Sequence, residues 1–231
     1  MRELSKITYF FRTCLSSLTR RNLPLMWAGA AVLCLATTPS RAQTVTTTVN
    51  VGNAPTAAAI NAVSNKIYVA NASDNNVTVI DGATNATVTV NTGSNPAAVA
   101  LNPVSNKIYV ANHGGNTVTV INGADNTTAT VNVGTGPSAI AVNPVTNLIY
   151  VVNTSSNNVS VINGANNSVA ASVAVGSAPN AVALNPLTNK IYVTNNSDNT
   201  VTVIDAANSN ATSTVTVGTN PSAIAVNPVN N

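Results

Sequence analysis

An all-β fold built of four-stranded antiparallel sheets is predicted by three features of this chain. A unit of 41 or 42 residues recurs after residue 43, marked by Tyr68, Tyr109, Tyr150 and Tyr192 and by Pro55, Pro96, Pro137, Pro179 and Pro221. Each unit holds four short runs rich in Val, Ile, Ala and Thr. Turns of Asn, Gly, Pro, Ser and Asp separate them. Strands repeating at this period make blades, none of which can bury its apolar faces alone.

The unit beginning at Val175 displays the elements in order. Its first five residues form a turn in which Gly176 tolerates positive φ and Pro179 fixes its own φ. Residues 180–184 (NAVAL) make a short strand A, and residues 185–189 turn back into strand B, 190–195 (KIYVTN). A turn at 196–199 leads to strand C, 200–205 (TVTVID), and a last turn to strand D, 210–217 (NATSTVTV). Strands A and B are apolar at successive positions, as in Ile140-Ala141-Val142 and Ile149-Tyr150-Val151-Val152. A sheet with one wet face would alternate instead, so each sheet is expected to be covered on both sides. The alanines of strand A suit the crowded centre of a ring. The alternating threonines of strand D (Thr46, Thr48; Thr87, Thr89) suit its outer edge.

These features together predict a β-propeller with four complete blades. A lone outer-type strand, about Thr44 to Val51, precedes them, and a lone inner-type strand, Ser222 to Val226, follows. Those two strands lack a B and a C to join them into one blade, so an incomplete ring is expected. Asn231 falls just before the next Lys-Ile-Tyr would come, as in a fragment of a longer propeller; further subunits completing the ring are the alternative. Open blade edges would favour self-association.

Tyr192-Val193-Thr194-Asn195, with NPLTNKI before and VTVID after, resembles the YVTN-type β-propeller repeat. The other units vary it as Tyr68-Val69-Ala70-Asn71, Tyr109-Val110-Ala111-Asn112 and Tyr150-Val151-Val152-Asn153. The resemblance covers about residues 44 to 231. It implies a propeller, often seven-bladed, of exported, surface-layer or YncE-like periplasmic proteins. Related propellers include lactonase-like enzymes and haem- or copper-bearing reductase domains, so it implies no single function.

Residues 1–42 read as a secretory signal, and residues 43–231 as the propeller. Arg2, Lys6, Arg12, Arg20 and Arg21 precede an apolar run from Leu23 to about Thr37, and Ser40-Arg41-Ala42 offers a cleavage site. Thr19-Arg20-Arg21 leaves a twin-arginine route open beside the general one. The mature chain is expected in the periplasm or at the cell surface, with no membrane association after cleavage. Cleavage removes six basic residues and Glu3, which turns the formal charge of +3 into −2. The basic balance belongs to the signal and is no reason to expect nucleic acid as a partner. Cys14 and Cys34 leave with it, so the propeller is held without disulfides.

Pairing B with C across the short turn sets Lys66 opposite Asp81 and Lys190 opposite Asp205, expected as structural ion pairs in two blades. Lys107 then faces Asn122, and Leu148 faces Asn163. One site in a repeat protein should break the repeat, and little does. His113 is the only histidine and cannot make a His cluster for a metal. Asp74, Asp125 and Asp198 fall in hairpin turns, and the segments 81–85 and 122–126 have too little acidic density for a calcium loop. No catalytic, metal or cofactor residues are assigned, and the tyrosines read as structural. The expected function is a non-enzymatic binding scaffold for a protein or surface ligand. Its candidate rim carries the D–A and B–C turns, with Asn53, Asp74, Asn95, His113 and Asp198. A lactonase-like enzyme whose site residues lie elsewhere, or a fragment without independent function, are the alternatives.

Overall fold

The computed structural model describes residues 47–228. The expected signal, residues 1–42, and the first residues of the expected outer strand lie outside the described residues. The rest forms four antiparallel sheets of four strands each, every sheet in simple sequence order. Blade 1 comprises β1 (Pro55–Asn61), β2 (Lys66–Asn71), β3 (Asn76–Asp81) and β4 (Thr87–Asn91). Blade 2 comprises β5 (Pro96–Asn102), β6 (Lys107–Asn112), β7 (Thr117–Asn122) and β8 (Thr128–Asn132). Blade 3 comprises β9 (Pro137–Asn143), β10 (Leu148–Asn153), β11 (Asn158–Asn163) and β12 (Ser168–Ala174). Blade 4 comprises β13 (Pro179–Asn185), β14 (Lys190–Asn195), β15 (Thr200–Asp205) and β16 (Ala211–Thr216). The described residues are thus the all-β, four-bladed, unclosed propeller that the repeat predicts.

Asparagine makes the tight turns possible. In the turns between the second and third strands Asn75, Asn116, Asn157 and Asn199 all have φ of 52–57°. In those between the first and second, Asn65, Asn106, Asn147 and Asn189 have φ of 51–54°. Most L-residues avoid this left-handed region, and Asn enters it most readily after glycine. The abundance of Asn therefore reflects turn geometry.

Each blade boundary is built from the same two surfaces. Tyr68, Ala70, Val77, Val79 and Val90 of blade 1 pack against Ile108, Val110 and Ile121 of blade 2. Tyr109, Val118, Val120 and Val131 meet Ile149, Val151 and Ile162 in the same way. Tyr150, Val152, Val159, Val161 and Val173 meet Ile191, Val193 and Ile204. One face of a blade thus presents Tyr and Val, and the other presents Ile and Val. The tyrosines are core residues: Tyr68, Tyr109 and Tyr150 are fully buried, while Tyr192 in the last described blade is half-buried.

Asparagine side chains also stitch blades together. Asn61 Nδ2 donates to Asn106 Oδ1 of the next blade (2.8 Å), as Asn102 does to Asn147 (2.8 Å) and Asn143 to Asn189 (2.9 Å). Asn61 Oδ1 meanwhile accepts from the Val63 and Ser64 amides and so caps its own turn. A second buried set holds each hairpin: Asn112 Nδ2 donates to Thr117 Oγ1 and Thr119 Oγ1 at 3.0 and 2.9 Å.

The two flanking segments differ from expectation. Residues 47–51 and 222–226 carry no strand pairing. Neither segment joins one of the four described sheets, and a strand without a ladder leaves its backbone groups unpaired. The Pro221 carbonyl, just before the second segment, accepts from Asn180 Nδ2 (3.1 Å) and Asn196 Nδ2 (3.3 Å).

Candidate binding rims

Asn53, Asp74, Asn95, His113 and Asp198 are brought to one rim, and all five are exposed. The two carboxylates among them are taken up by the turns that enter their blades. Asp74 Oδ2 accepts from the Asn53 amide (2.8 Å) and its Oδ1 from Asn53 Nδ2 (2.9 Å). These bonds, the backbone one foremost, hold the Asp74 carboxyl below the ordinary aspartate range. Asp198 Oδ2 accepts from the Ser177 amide, and in blade 3 the Ser156 hydroxyl accepts from the Thr135 amide (2.9 Å). Each clamps the turn entering its own blade. Blade 2 has Gly115 at that position, so no side chain reaches the Ser94 amide. The His113 amide donates to the Asn95 carbonyl (2.9 Å), and the His113 ring stands beside the entry turn of blade 3, near Gly136.

The opposite rim carries the lysines and corrects the expected ion pairs. The register is as read: Lys66 stands opposite Asp81, and Lys190 opposite Asp205. Yet Lys66 Nζ donates to the Gly123 carbonyl of the next blade (3.0 Å). Lys107 Nζ does the same to Gly164, adding Asn167 Oδ1 (3.0 Å). Asp81 instead caps its turn through the Ala83 and Thr84 amides, both at 2.9 Å. Those bonds lower its carboxyl, and the field of Lys66 is the smallest contribution. Asp205 likewise accepts from the Ala207 amide (3.1 Å). A desolvated carbonyl across the boundary binds the ammonium better than an exposed carboxylate that is already hydrogen-bonded. Leu148 and Ala206 replace the Lys and Gly of this contact at the next boundary, and both pack on the same apolar cluster.

Sequence reading missed a feature of this second rim. Val63, Val104, Val145 and Leu187 occupy one equivalent turn position and are 83%, 78%, 80% and 76% exposed. The signal was present, as an aliphatic residue two positions after the Asn that ends strand A in every unit. Among the described residues, no three His, Cys, Asp or Glu side chains gather to hold a metal ion. A depression of about 490 Å³ is lined by Gly176, Asp198, Thr200, Thr202, Thr212 and Thr214, with Ala174 and Val175.

The model of one protein family, described as lactonase, 7-bladed beta-propeller, matches residues 53–170, half of the chain. The chain belongs to this lactonase-type propeller family. Solved structures agree on the fold. Hydrazine synthase of Kuenenia stuttgartiensis is 20% identical with a TM-score of 0.66, the match covering 78% of this chain and 53% of that one. Virginiamycin B lyase of Staphylococcus aureus is 14% identical with a TM-score of 0.66, covering 75% and 60%. A functionally unknown protein from Desulfotomaculum acetoxidans is 19% identical with a TM-score of 0.59, covering 70% and 55%. This family member thus spans between half and two thirds of the length of those chains. No curated protein matches it.

Proposed function

We propose that this propeller is an exported, non-catalytic binding scaffold of the YVTN type, which meets a protein or surface ligand through a loop rim. The observation that supports it most is the row Val63, Val104, Val145 and Leu187, one large exposed aliphatic side chain per blade on a single rim. A lone exposed valine needs no account, whereas a row repeated at one turn position offers a periodic apolar contact surface. A photo-reactive side chain at position 104, incubated with envelope extract of the producing cells, should give discrete crosslinks that the same group at position 113 does not. The opposite pattern would reject the rim assignment. Export rests on residues 1–42, and the mature chain should begin at Gln43 when its N-terminus is sequenced.

The family match supports a second reading, lactone opening. Steady turnover of γ- or δ-lactones in a pH-stat assay, lost on His113→Ala or Asp74→Asn, would favour the enzyme over the scaffold.

A further inference from the structure

Both halves of the blade boundary recur, part-open, at the two ends of the four-bladed array. On blade 4 the Tyr/Val face presents Tyr192, Val201 and Val203, all half-buried, and Val215, 50% exposed. Their counterparts Tyr150, Val159, Val161 and Val173 in blade 3 are buried. On blade 1 the Ile/Val face presents Ile67 and Val69, half-buried, and Ile60, 68% exposed. The counterparts Ile108 and Val110 are fully buried beneath blade 1. The polar part of the boundary is split in the same way. Lys66 and Lys107 each reach a carbonyl in the following blade, at Gly123 and Gly164. Lys190, their equivalent in blade 4, has no hydrogen-bond acceptor among the described residues. Gly82 occupies on blade 1 the place that Gly123 and Gly164 hold on blades 2 and 3.

We propose that two copies of this chain dock head to tail, the Tyr/Val face of blade 4 on the Ile/Val face of blade 1. The contact repeats a boundary that the chain already makes three times, with Lys190 donating to the carbonyl of the partner's Gly82. Such a contact is heterologous, so each copy keeps one face free to continue the array or close it into a ring. Full register requires residues 221–227 to yield the inner strip beside β13. That segment has no strand ladder and is largely exposed, and docking displaces it against the bonds that Asn180 and Asn196 make to the Pro221 carbonyl. The inference concerns the blade faces and does not depend on the rim reading above.

The test is a mixing experiment on the purified chain by sedimentation velocity. The parent chain should show weight-average mass rising with concentration. Ile67→Asp blocks one face and Val203→Asp the other, so each variant alone should stay monomeric. Mixed in equal amounts, they should give a capped dimer, because each retains the face that the other lacks. Circular dichroism and cooperative melting check that both variants are folded. Lys190→Ala, a milder change, should weaken association roughly tenfold. A parent that stays monomeric up to about 100 µM, either blocked variant associating as the parent does, or a mixture that remains monomeric would each overturn the proposal.

Discussion

Lys66 sends its ammonium 3.0 Å to the carbonyl of Gly123 in the next blade, past Asp81, which stands directly opposite on the neighbouring strand. A residue that looks like half of a surface ion pair is therefore a clamp between blades. Lys66→Met should lower stability by about 1 kcal/mol, the loss of a charge-assisted hydrogen bond. The decisive comparison is a double-mutant cycle by urea denaturation. The loss should be the same in the parent and in an Asp81→Asn background, and strong coupling would restore the ion pair.

Two glycines should respond unequally to the same methyl group. A Cβ on Gly164 would run into Asn147 Oδ1 and come within 2.8 Å of the Tyr109 hydroxyl of the preceding blade. A Cβ on Gly218 would meet nothing within 4 Å. Gly164→Ala should cost about 1–3 kcal/mol by overpacking. Gly218→Ala should lie within about 0.5 kcal/mol of the parent. Thermal melts of the two variants side by side give the answer.

Asn112 is fully buried, and its Nδ2 is shared by two threonine hydroxyls. Asn112→Ala removes both bonds and leaves a void, and should cost about 2–3 kcal/mol. Asn112→Asp should cost at least as much, since it places a carboxylate in the same dry site. Chemical denaturation of both variants against the parent measures this.

Stability should fall at both pH extremes for opposite reasons. Asp74, Asp81 and Asp125 have carboxyls lowered by turn hydrogen bonds. A carboxyl depressed in the folded chain stabilises it above the unfolded value of about 4. That contribution disappears as pH falls through the folded value. At the other end, burial raises the tyrosine hydroxyls of Tyr68 and Tyr150, and that of Tyr109 to about 12. A group raised in the folded state holds its proton while the unfolded chain releases one. Stability should therefore decline from about pH 10, the unfolded tyrosine value, to about pH 12. Melting temperature against pH should show a plateau between two falling limbs. The phenolate absorbance of Tyr68, Tyr109 and Tyr150 should appear together with unfolding on the alkaline side; ionisation of these three well before the chain unfolds would contradict their burial.

The pairing of strand B with strand C was legible in the sequence down to the residue. Turn length and the apolar runs place Lys66 against Asp81, Lys107 against Asn122, Leu148 against Asn163 and Lys190 against Asp205, and the ladders have that register. Both faces of these strands are apolar, so it is the length of the hairpin turn that fixes the register. The rims were less legible. Asp74 and Asp198 look like solvent-facing candidates, and only the entry turn folded against them shows the amides they cap.

What the chain order determines by itself is local: which runs are strands, how they pair, and where asparagine must hold a left-handed turn. These depend on sterics and hydrophobic period within one unit of about forty residues. What the tertiary structure decides is where a long side chain ends: Lys66 on Gly123, Asn61 on Asn106 and Tyr109 beside Gly164. Each of these contacts crosses about 45 to 57 residues of chain. Its partner is chosen by the angle at which one sheet rests on the next, which no period within a single unit encodes.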